Sequence, residues 1–595
     1  MSAPESSAAD AAVLGVESSL TGKRWRARLA DARMGLALAQ RLELPEIVGR
    51  VMAGRGVTLE TADAYLNPTL RALLPDPSHL RDMDKAASRL ANAVMAGERI
   101  GIFGDYDVDG ATSAALLHRF LSAVGAPPRL YIPDRMAEGY GPNAPALRRL
   151  ALEGVKIVVT VDCGIVAFEA LEAGAEAGLD IVVVDHHVAE PRLPRAHAVV
   201  NPNRLDETSP LKQLAAVGVA FMLAIATNRA LRGSGWYGAA RPAPELLDWL
   251  DVVALGTVCD VVPLTGLNRA LVTQGLKIMA RRANAGLAAL ADVARLDEPP
   301  AAYHAGFVLG PRVNAGGRVG EADLGVRLLT TEDPVEAAAL AKRLDAHNRE
   351  RQVLEARALD GALAQAMGET GPLVLVAHES WHPGVIGIVA SRLVERFNRP
   401  AAVVALAGAE GKGSARSVPG VDMGAAVIAA RQAGHLANGG GHPMAAGFTI
   451  AAAKLDGLRA FLAERVGAEI ARNKVVPALS LDGALALGAA TPELAARLEQ
   501  LAPFGVGNAE PCFAVPDARV VQSSVVGEGH VRAILADKAG ARLKAIAFRA
   551  ADQPLGKALL DKAGAGLHVA GRLRPDNWQG RSEAQLIIAD AAWAR

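Results

Sequence analysis

Three short apolar runs, rich in Ile and Val, stand out in the first half of the chain. They cover residues 100–103, 157–159 and 181–184, and helix-length stretches separate them. Apolar runs without alternation are typical of strands buried on both faces, and strands that alternate with helices are typical of a parallel sheet. We therefore predict an α/β fold with a doubly wound, mainly parallel sheet, in a domain of residues 99–330.

The remainder of the chain divides by its pattern into five further segments. Residues 1–25 are rich in Ser and Ala and predict a flexible tail. Residues 26–98 have helical spacing and predict a helical segment packed on this parallel sheet. Residues 331–368 are almost free of Gly and Pro, which predicts a long connecting helix. A second α/β domain is predicted at 369–467, and short alternating stretches between glycines predict a small β-barrel at 475–595.

Acidic and imidazole residues follow each of the three apolar runs. Asp105, Asp107 and Asp109 come after the first run, Asp162 after the second, and the sequence Asp185-His186-His187 after the third. In doubly wound sheets, ligands bind beyond the carboxyl ends of the strands, so these side chains are expected to meet. Any one cluster alone has a simpler interpretation as a helix cap or a loop, but all three in register favour a common site.

Several carboxylates in one crevice repel one another and need a counter-charge. No Lys or Arg interrupts the three clusters. Carboxylates with one or two imidazoles suit Mn²⁺ or Mg²⁺ better than the thiolate-rich sites that zinc often takes. Two such ions, about 4 Å apart, can activate water and stabilise charge at phosphorus. The pattern therefore predicts a two-metal hydrolase.

Composition limits the other possibilities. With 595 residues the chain exceeds the size of one hydrophobic core, and it has neither an apolar run that could span a bilayer nor a basic and apolar leader, so we expect a cytoplasmic protein with no membrane partner. The formal net charge is zero, so a nucleic-acid partner would need a local groove.

The three cysteines are too few for a disulfide framework. Cys163 and Cys259, beside two of the acidic residues, are interpreted as packing residues, with inhibition by oxidation or a thiophilic metal as the alternative.

Further motifs appear along the chain. They lie at residues 253–264, 268–269, 310–318, 381–387, 413–417, 439–447 and 503–508. With the acidic clusters, they resemble the DHH phosphoesterase superfamily and, within it, the RecJ family of 5′→3′ exonucleases specific for single-stranded DNA. The resemblance extends from about residue 40 to the C-terminus. It implies a DHH domain, a DHHA1 domain and a C-terminal OB-fold.

The resemblance also implies roles for individual residues. The two divalent cations, Mn²⁺ or Mg²⁺, would be held by Asp105, Asp107, Asp109, Asp162, His186 and Asp260. Asp162 would bridge the ions, His187 would contact phosphate or support the ligands, and Asp185 could hydrogen-bond a ligand histidine. A terminal 5′ phosphate and the adjoining strand would be bound by Arg135, Tyr140, Arg318, Ser414, Arg416, Gly439, Gly440, Gly441 and His442. Each arginine could instead lie on the surface, and the three glycines could form a plain tight turn.

The implied activity is stepwise hydrolysis of single-stranded DNA from the 5′ end, releasing 5′-mononucleotides, in DNA repair and recombination. The resemblance implies a single-stranded-DNA-binding protein and a RecQ-type helicase as partners of a monomeric enzyme. Two alternatives stay open: a phosphodiesterase for cyclic dinucleotides or very short oligonucleotides, and an inactive replication scaffold. The chain length and the residues Phe103 and Asp105 oppose the first, and the complete set of expected ligands opposes the second.

Overall fold

The computed structural model describes residues 11–29, 31–135, 137–561, 566–576 and 583–594. The chain forms two compact units. One combines Met1–Leu74, Val261–Thr273 and Val476–Arg595, and the other combines Pro75–Asp260 and Gln274–Val475. Among the helices so described, none has both the length and the apolar character that crossing a membrane requires.

The N-terminal part of the first unit contains one strand and four short helices. These are β1 Arg24–Ala27, α1 Arg33–Leu42, α2 Glu46–Ala53, α3 Ala62–Leu66 and α4 Leu70–Leu73. Strand β1 pairs in parallel with residues Ala478–Leu481. Trp25 is fully buried, and its indole N–H donates to Asp590 at 2.9 Å.

This arrangement differs from two of our predictions. In the tail predicted at residues 1–25, Val16 and Trp25 are buried, and residues 1–10 lie outside the described part of the chain. The segment predicted at 26–98 divides: the helix Met83–Ala96 contacts a strand of the catalytic sheet, as predicted, whereas the helices at 33–66 pack elsewhere. Their apolar faces, including Leu38, Val48 and Met52, join the core of the C-terminal barrel. Helical spacing shows that a face is apolar but does not say which partner covers it.

The catalytic sheet has five strands, all parallel, in the order β3-β2-β4-β5-β6. The strands are β2 Ile100–Gly104, β3 Arg129–Tyr131, β4 Ile157–Val161, β5 Asp180–Val184 and β6 Ala198–Val200. The helices are α5 Met83–Ala96, α6 Val108–Ala123, α7 Ala144–Leu152, α8 Phe168–Glu176, α9 Ala216–Gly233, α10 Leu250–Cys259, α11 Gly266–Met279, α12 Ala285–Val293, α13 Gly310–Val319 and α14 Leu324–Thr330. The predicted parallel sheet is confirmed.

A single long helix, α15 Pro334–Ala366, leads to the second sheet, as predicted. Asp333 caps it by accepting a hydrogen bond from the amide of Val335 at 2.9 Å. The domain that follows contains β7 Val374–His378, α16 Ile386–Phe397, β8 Ala401–Ala407, β9 Glu410–Arg416, α17 Met423–Gln432, β10 Asn438–His442, β11 Ala445–Ala451 and α18 Leu455–Asn473. Its strand order is β10-β11-β9-β8-β7, and only β7 and β8 run parallel.

The C-terminal part of the first unit is the predicted barrel. It contains β12 Ala478–Leu481, β13 Gly483–Ala484, α19 Pro492–Glu499, β14 Phe513–Val526, β15 His530–Ala536, β16 Arg542–Ala547, α20 Pro554–Leu560, β17 Leu567–Asp576 and β18 Glu583–Trp593. Its strands follow the order β13-β14-β15-β16-β18-β17, and β14 also pairs with β17, which closes the sheet on itself. Closure removes the exposed sheet edges.

Candidate active site

The ends of three adjacent strands bring the predicted acidic residues together. Strands β2, β4 and β5 are neighbours, with Gly104 opposite Val161 and Val161 opposite Val184. Their backbone pairing continues beyond the strands, because the amide of Asp105 donates to Val161 at 3.3 Å and that of Asp162 donates to Val184 at 3.0 Å. The residues after each strand therefore lie side by side at the carboxyl edge of the sheet, as predicted.

The first turn of α6 positions two further carboxylates. Asp107 is the N-cap and accepts a hydrogen bond from the amide of Gly110 at 3.0 Å. Asp109 is buried and accepts from the amides of Ala216 and Val217, at the start of α9, at 2.6 and 2.9 Å. A side chain at Gly110 would place its Cβ 2.5 Å from the carbonyl oxygen of Asp105, so only glycine permits this approach.

His186 lies at the centre of the cluster. Its Nε2 is 3.4 Å from Asp162 Oδ1 and 3.9 Å from Asp109 Oδ2, and its Nδ1 is 3.5 Å from Asp260 Oδ2. Nδ1 also lies 3.1 Å from the carbonyl oxygen of Leu214, which can only accept, so Nδ1 carries the hydrogen and the Nε2 lone pair faces the carboxylates. Among the described residues, three overlapping groups of side chains each have potential ligand atoms that all lie within 4.8 Å of one another. The groups are Asp162, His186 and His187; Asp109, His186 and Asp260; and Asp105, Asp107 and Asp162.

Burial and mutual repulsion shift the protonation of this cluster strongly. Burial and the nearby Asp107 raise the pKa of Asp109 to about 7, and burial together with Asp109 raises the pKa of Asp260 to about 10. The same two causes raise the pKa values of Asp105 and Asp162 well above the usual range, whereas burial lowers the pKa of His186 to about 4. Without a cation, burial and mutual repulsion therefore shift these carboxyl groups toward their protonated forms.

Unpartnered buried atoms show what the cluster fits. Oδ1 of Asp105, Oδ1 of Asp162, Nε2 of His186 and Oδ2 of Asp260 are buried and have no hydrogen-bond partner among the described residues. Leaving such atoms unsatisfied is costly, and proteins retain the arrangement where a ligand completes it. A set of carboxylate oxygens with an imidazole nitrogen is the donor set that Mn²⁺ and Mg²⁺ take. The side chains present therefore fit divalent cations.

Asp185 organises the loop after β5. It is fully buried and accepts hydrogen bonds from the amides of Ile165 and His186 at 3.0 and 2.7 Å. It also lies 2.8 Å from Nδ1 of His187. Burial lowers the pKa of His187, but the hydrogen bond and the charge of Asp185 outweigh it and raise that pKa. Asp185 therefore fixes the ring of His187, whereas the ring of the expected ligand His186 is held by a backbone carbonyl.

The two cysteines beside the carboxylates have packing contacts. Cys163 Sγ lies 3.3 Å from the carbonyl oxygen of Val161, and Cys259 Sγ lies 3.4 Å from that of Ala305. A Cβ on Gly310 would meet Cys259 Sγ at 2.3 Å, so the helix that carries Gly310 packs tightly on this thiol. Burial raises the pKa of both thiols, which keeps them protonated.

Three predicted arginines form a second cluster. The Arg135 guanidinium lies over the ring of Tyr106, 5.1 Å from its centroid. Arg318 Nη1 donates to the carbonyl oxygen of Gly384 at 2.9 Å, and Arg416 Nη1 donates to Ser414 Oγ at 3.0 Å. Burial lowers the pKa of Arg318, and the nearby charge of Arg135 lowers it further, to about 10; burial and Arg135 also lower the pKa of Arg416. Guanidinium groups close enough to repel one another suit an anion such as phosphate, which would compensate their charges.

Tyr140 lies beside Asp162 and His187 of the acidic cluster. Its hydroxyl donates to the carbonyl oxygen of Asp162 at 3.1 Å and lies 3.4 Å from His187 Nδ1. The residue as a whole is half exposed, but desolvation around its hydroxyl and the charges of Asp185 and Asp162 raise its pKa, so the group stays a neutral donor. The structure therefore places Tyr140 on the acidic side of the site.

The three glycines of the GGGH motif do not form a loop or a tight turn. They lie in β10, an edge strand paired with β11, with Gly440 opposite Gly447. A Cβ on Gly441 would lie 2.4 Å from the carbonyl oxygen of Ala445, and its φ of +155° also favours glycine. At the end of this strand the ring of His442 stacks near that of His187, with centroids 6.1 Å apart. The motif thus reaches the acidic cluster through His442.

Sequence comparisons agree with this architecture. The profile described as the DHH family, N-terminal domain, matches residues 99–257. The DHHA1 domain matches residues 370–468, and the RecJ OB domain matches residues 481–590. The chain is similar to single-stranded-DNA-specific exonuclease RecJ of Bacillus subtilis (35% identity, 96% of this chain and 71% of the relative) and of Escherichia coli (36% identity, 93% and 96%).

The chain belongs to the RecJ family. Its structure is similar to a crystal structure of RecJ in complex with Mn²⁺ from Thermus thermophilus, with a TM-score of 0.79, 31% identity, and coverage of 94% of this chain and 78% of that one. A crystal structure of RecJ in complex with Mg²⁺ from the same organism matches with a TM-score of 0.74 and 30% identity, covering 94% and 77%. In this RecJ-family chain the predicted fold class is thereby confirmed.

Sequence reasoning missed two residues that hold the histidine pair of this RecJ-family site. Asn201 Nδ2 donates to the carbonyl oxygen of His187 at 2.9 Å, and Asn203 Nδ2 donates to that of His186 at 2.6 Å. Both follow β6, which has only three residues. The signal was the pair of asparagines directly after a short apolar run, at the same edge of the sheet as the acidic clusters.

Proposed function

We propose that this chain is a metal-dependent exonuclease that hydrolyses single-stranded DNA from the 5′ end and releases 5′-mononucleotides, in DNA repair and recombination. The observation that carries the proposal is the convergence of four buried, unpartnered ligand atoms, from Asp105, Asp162, His186 and Asp260, beside a cluster of arginines. The RecJ relatives named above are described as exonucleases specific for single-stranded DNA, and that substrate is proposed here.

Two divalent cations, Mn²⁺ or Mg²⁺, are the proposed cofactors. Asp105, Asp107, Asp109, Asp162, His186 and Asp260 would hold them. When bound, such ions lower the pKa of a water molecule and stabilise charge on phosphate oxygens. The RecJ crystal structures with Mn²⁺ and with Mg²⁺ support this assignment.

The protein's own side chains supply binding and orientation. Arg135, Arg318 and Arg416 would bind the 5′-terminal phosphate, with Ser414 orienting Arg416 at 3.0 Å. An anchored terminal phosphate presents the first phosphodiester bond to the acidic cluster, which gives the enzyme its polarity. His187, whose raised pKa favours the protonated ring, would donate a hydrogen bond to a phosphate oxygen of that bond.

The remaining predicted residues would hold the strand next to the scissile bond. Tyr140 is a neutral donor beside Asp162, and His442 extends from edge strand β10 toward His187. The backbone of Gly439, Gly440 and Gly441 in this strand would approach the DNA closely, because no side chain shields it. The closed barrel would bind the departing strand through backbone charge and base stacking.

We propose that the work is divided along the predicted boundaries, with catalysis in 99–330, a connecting helix in 331–368, substrate binding in 369–467 and nucleic-acid binding in 475–595. A single-stranded-DNA-binding protein and a RecQ-type helicase as partners, and a monomeric state, rest on the family resemblance and stay predictions. A cytoplasmic location is supported by the three cysteines, none of which forms a disulfide.

Product analysis tests the proposal. A long single strand labelled at the 5′ end, and a second labelled at the 3′ end, would be digested with Mg²⁺, with Mn²⁺ and with EDTA. We expect the 5′ label to appear at once as a mononucleotide, the 3′ label to appear in a ladder of shortening fragments, and EDTA to abolish both. Early release of the 3′ label, or cleavage confined to a cyclic dinucleotide supplied in parallel, would contradict the proposal.

A further inference from the structure

A contact between Tyr106 and Arg135 links the acidic cluster to the arginine cluster. Tyr106 stands between Asp105 and Asp107, and its ring lies under the Arg135 guanidinium, 5.1 Å from centroid to central carbon. Both side chains are half-buried.

The tyrosine is held in place by its surroundings. On one side Asp105 continues the backbone pairing of β2, and on the other Asp107 caps α6. Helix α13 approaches so closely that a Cβ on Gly317 would lie 2.8 Å from the carbonyl oxygen of Tyr106 and 3.2 Å from its Cβ. The backbone of Tyr106 is therefore fixed, which restricts the positions that its ring can adopt.

Arg135 has the opposite character. It lies in the turn after β3, and no salt bridge joins it to any described residue, although Arg318 and Arg416 repel it. A long arginine side chain in such a place has many rotamers, and ordering them on binding costs conformational entropy. A carboxylate partner would fix the guanidinium but would also cancel the charge that an anion needs. The face of an aromatic ring fixes a guanidinium and leaves both its charge and its N–H groups available.

We propose that Tyr106 is a positioning residue that uses the face of its ring to hold Arg135 ready for the 5′-terminal phosphate of the DNA. The inference rests on the proposed function, in which Arg135 binds that phosphate. In this proposal the tyrosine of the acidic motif helps to select the 5′ end. The aspartates on either side of it have a different role, which is to hold the cations. The ring is required for this role, and the phenol hydroxyl is not.

Two substitutions separate the ring from the hydroxyl. Tyr106→Phe keeps the ring, and Tyr106→Leu removes it. On a single strand with a 5′ phosphate, we expect Tyr106→Leu to raise KM by about threefold to thirtyfold, the range for a cation–π contact that is partly shielded from water, while Tyr106→Phe stays within about twofold of the parent. On the same strand with a 5′ hydroxyl, KM should be unchanged in both variants, and kcat should be unchanged on either strand.

A matched control exists in the same unit. Arg232, in the last turn of α9, lies over the ring of Tyr237 at 5.8 Å. The first residues of this 18-residue helix contact Asp109. That helix is about 27 Å long at about 1.5 Å per residue, so this pair is remote from the site. Tyr237→Leu should leave KM unchanged for both ends.

A series of fluorinated phenylalanines at position 106 decides the question even if Tyr106→Leu fails to fold. Each fluorine weakens the negative face of the ring with little change in shape, so KM for the 5′-phosphorylated strand should rise stepwise with fluorine number while Mn²⁺ affinity, measured by calorimetry, stays constant. A flat series, an equal loss in Tyr106→Phe and Tyr106→Leu, or equal effects on both kinds of end would overturn the inference. A parent enzyme that makes no distinction between the two ends would instead count against the proposed 5′-phosphate site itself.

Discussion

Two regions of this chain bury carboxylates, and they treat them in opposite ways. In the barrel unit, Asp482 is buried, and its oxygens accept from Arg55 Nη1 at 2.5 Å, from Arg55 Nη2 at 3.1 Å and from the amide of Cys512 at 2.9 Å. A second arginine is also close, because Arg28 Nε lies 3.3 Å from Asp482 Oδ1. At the catalytic sheet, Asp105 and Asp162 are equally buried but each keeps an oxygen without a partner.

The difference separates a structural charge from a functional one. A buried carboxylate that the fold supplies with donors is electrically compensated, and removing it leaves its cationic partner buried and unpaired. A buried carboxylate without donors destabilises the fold, and such a site persists where a ligand supplies the missing charge. Substitutions in the two regions should therefore change different quantities.

The largest effect is expected for Asp162→Asn. In the proposed assignment Asp162 bridges the two cations, and its loss would remove transition-state charge stabilisation of several kcal/mol. We therefore expect kcat/KM to fall about 1,000-fold or more, at about 1.4 kcal/mol per tenfold. Asn is chosen because Asp162 has a left-handed φ of +60°, which Asn tolerates. In EDTA at pH 7, the midpoint of thermal unfolding should rise, because the buried amide is neutral without the proton that Asp162 must bind.

The matched control for that variant is Asp180→Asn, at the opposite edge of the same sheet, where the carboxylate pairs with Arg89 at 2.7 Å and is half exposed. Its activity should equal that of the parent. Activity of Asp162→Asn within tenfold of the parent would show that this carboxylate is not a ligand.

Asp482→Ala should have the converse effect. It leaves the Arg55 guanidinium, whose side chain is 2% exposed, buried without its partner. Breaking such a pair costs about 3–5 kcal/mol, and we expect a loss of this size in the free energy of unfolding of the barrel, measured by urea titration. The kcat of the protein that remains folded should be unchanged. A lost kcat with normal unfolding would reverse the assignment of the two regions.

Arg416→Ala tests the cationic side of the site. Hydrogen bonds to charged groups contribute about 1.5–3 kcal/mol, so KM for 5′-phosphorylated strands should rise about tenfold or more, with a smaller change in kcat. Arg392→Ala is the control, because that arginine is half exposed and pairs with Glu395 at 3.0 Å in the same domain. Equal kinetics for Arg416→Ala and the parent would remove Arg416 from the phosphate site.

The pH dependence of stability sharpens the comparison further. The pKa of Asp109 is about 7 in the folded protein against an ordinary 3.8, so between these values the folded state binds more protons than the unfolded state. Stability in EDTA should therefore fall as the pH rises from about 4 through 7, and Asp260, with a pKa of about 10, extends the fall beyond neutrality. We expect the midpoint of thermal unfolding to drop by several degrees. Saturating Mn²⁺ should flatten this slope, and an unchanged slope would show that no cation binds these groups.

The smallest effect is expected for Asp63→Ala. This carboxylate pairs with Arg41 at 3.5 Å in the barrel unit, and the two side chains are 72% and 49% exposed. Exposed pairs contribute little, so unfolding free energy should change by no more than about 0.5 kcal/mol. A loss close to that of Asp482→Ala would mean that burial is not what distinguishes the two carboxylates.

Local pattern predicted the catalytic sheet and the acidic cluster well. The apolar runs before Asp105, Asp162 and Asp185 determine parallel strands, and the common edge of such strands brings their next residues together whatever else the chain does. The connecting helix and the barrel could also be predicted from the sequence. Gly and Pro are scarce in the connecting helix, and they are regularly placed between the strands of the barrel.

Contacts between segments that are distant in the sequence could not be predicted from local pattern. Periodicity showed that the helices at 33–66 had an apolar face, but only the folded chain shows Leu38 and Met52 against the barrel. In the same way, the motif Asp185-His186-His187 did not reveal that Asp185 fixes His187 while Leu214 holds His186.

By itself, then, the sequence determined which strands form and which side chains stand at their ends, because both depend on neighbours in the chain. Tertiary structure decided which ligand atoms stay without partners, which arginines converge from two domains, and that the ring of Tyr106 lies under Arg135. These are contacts between residues far apart in sequence, and no local pattern encodes the distance between them.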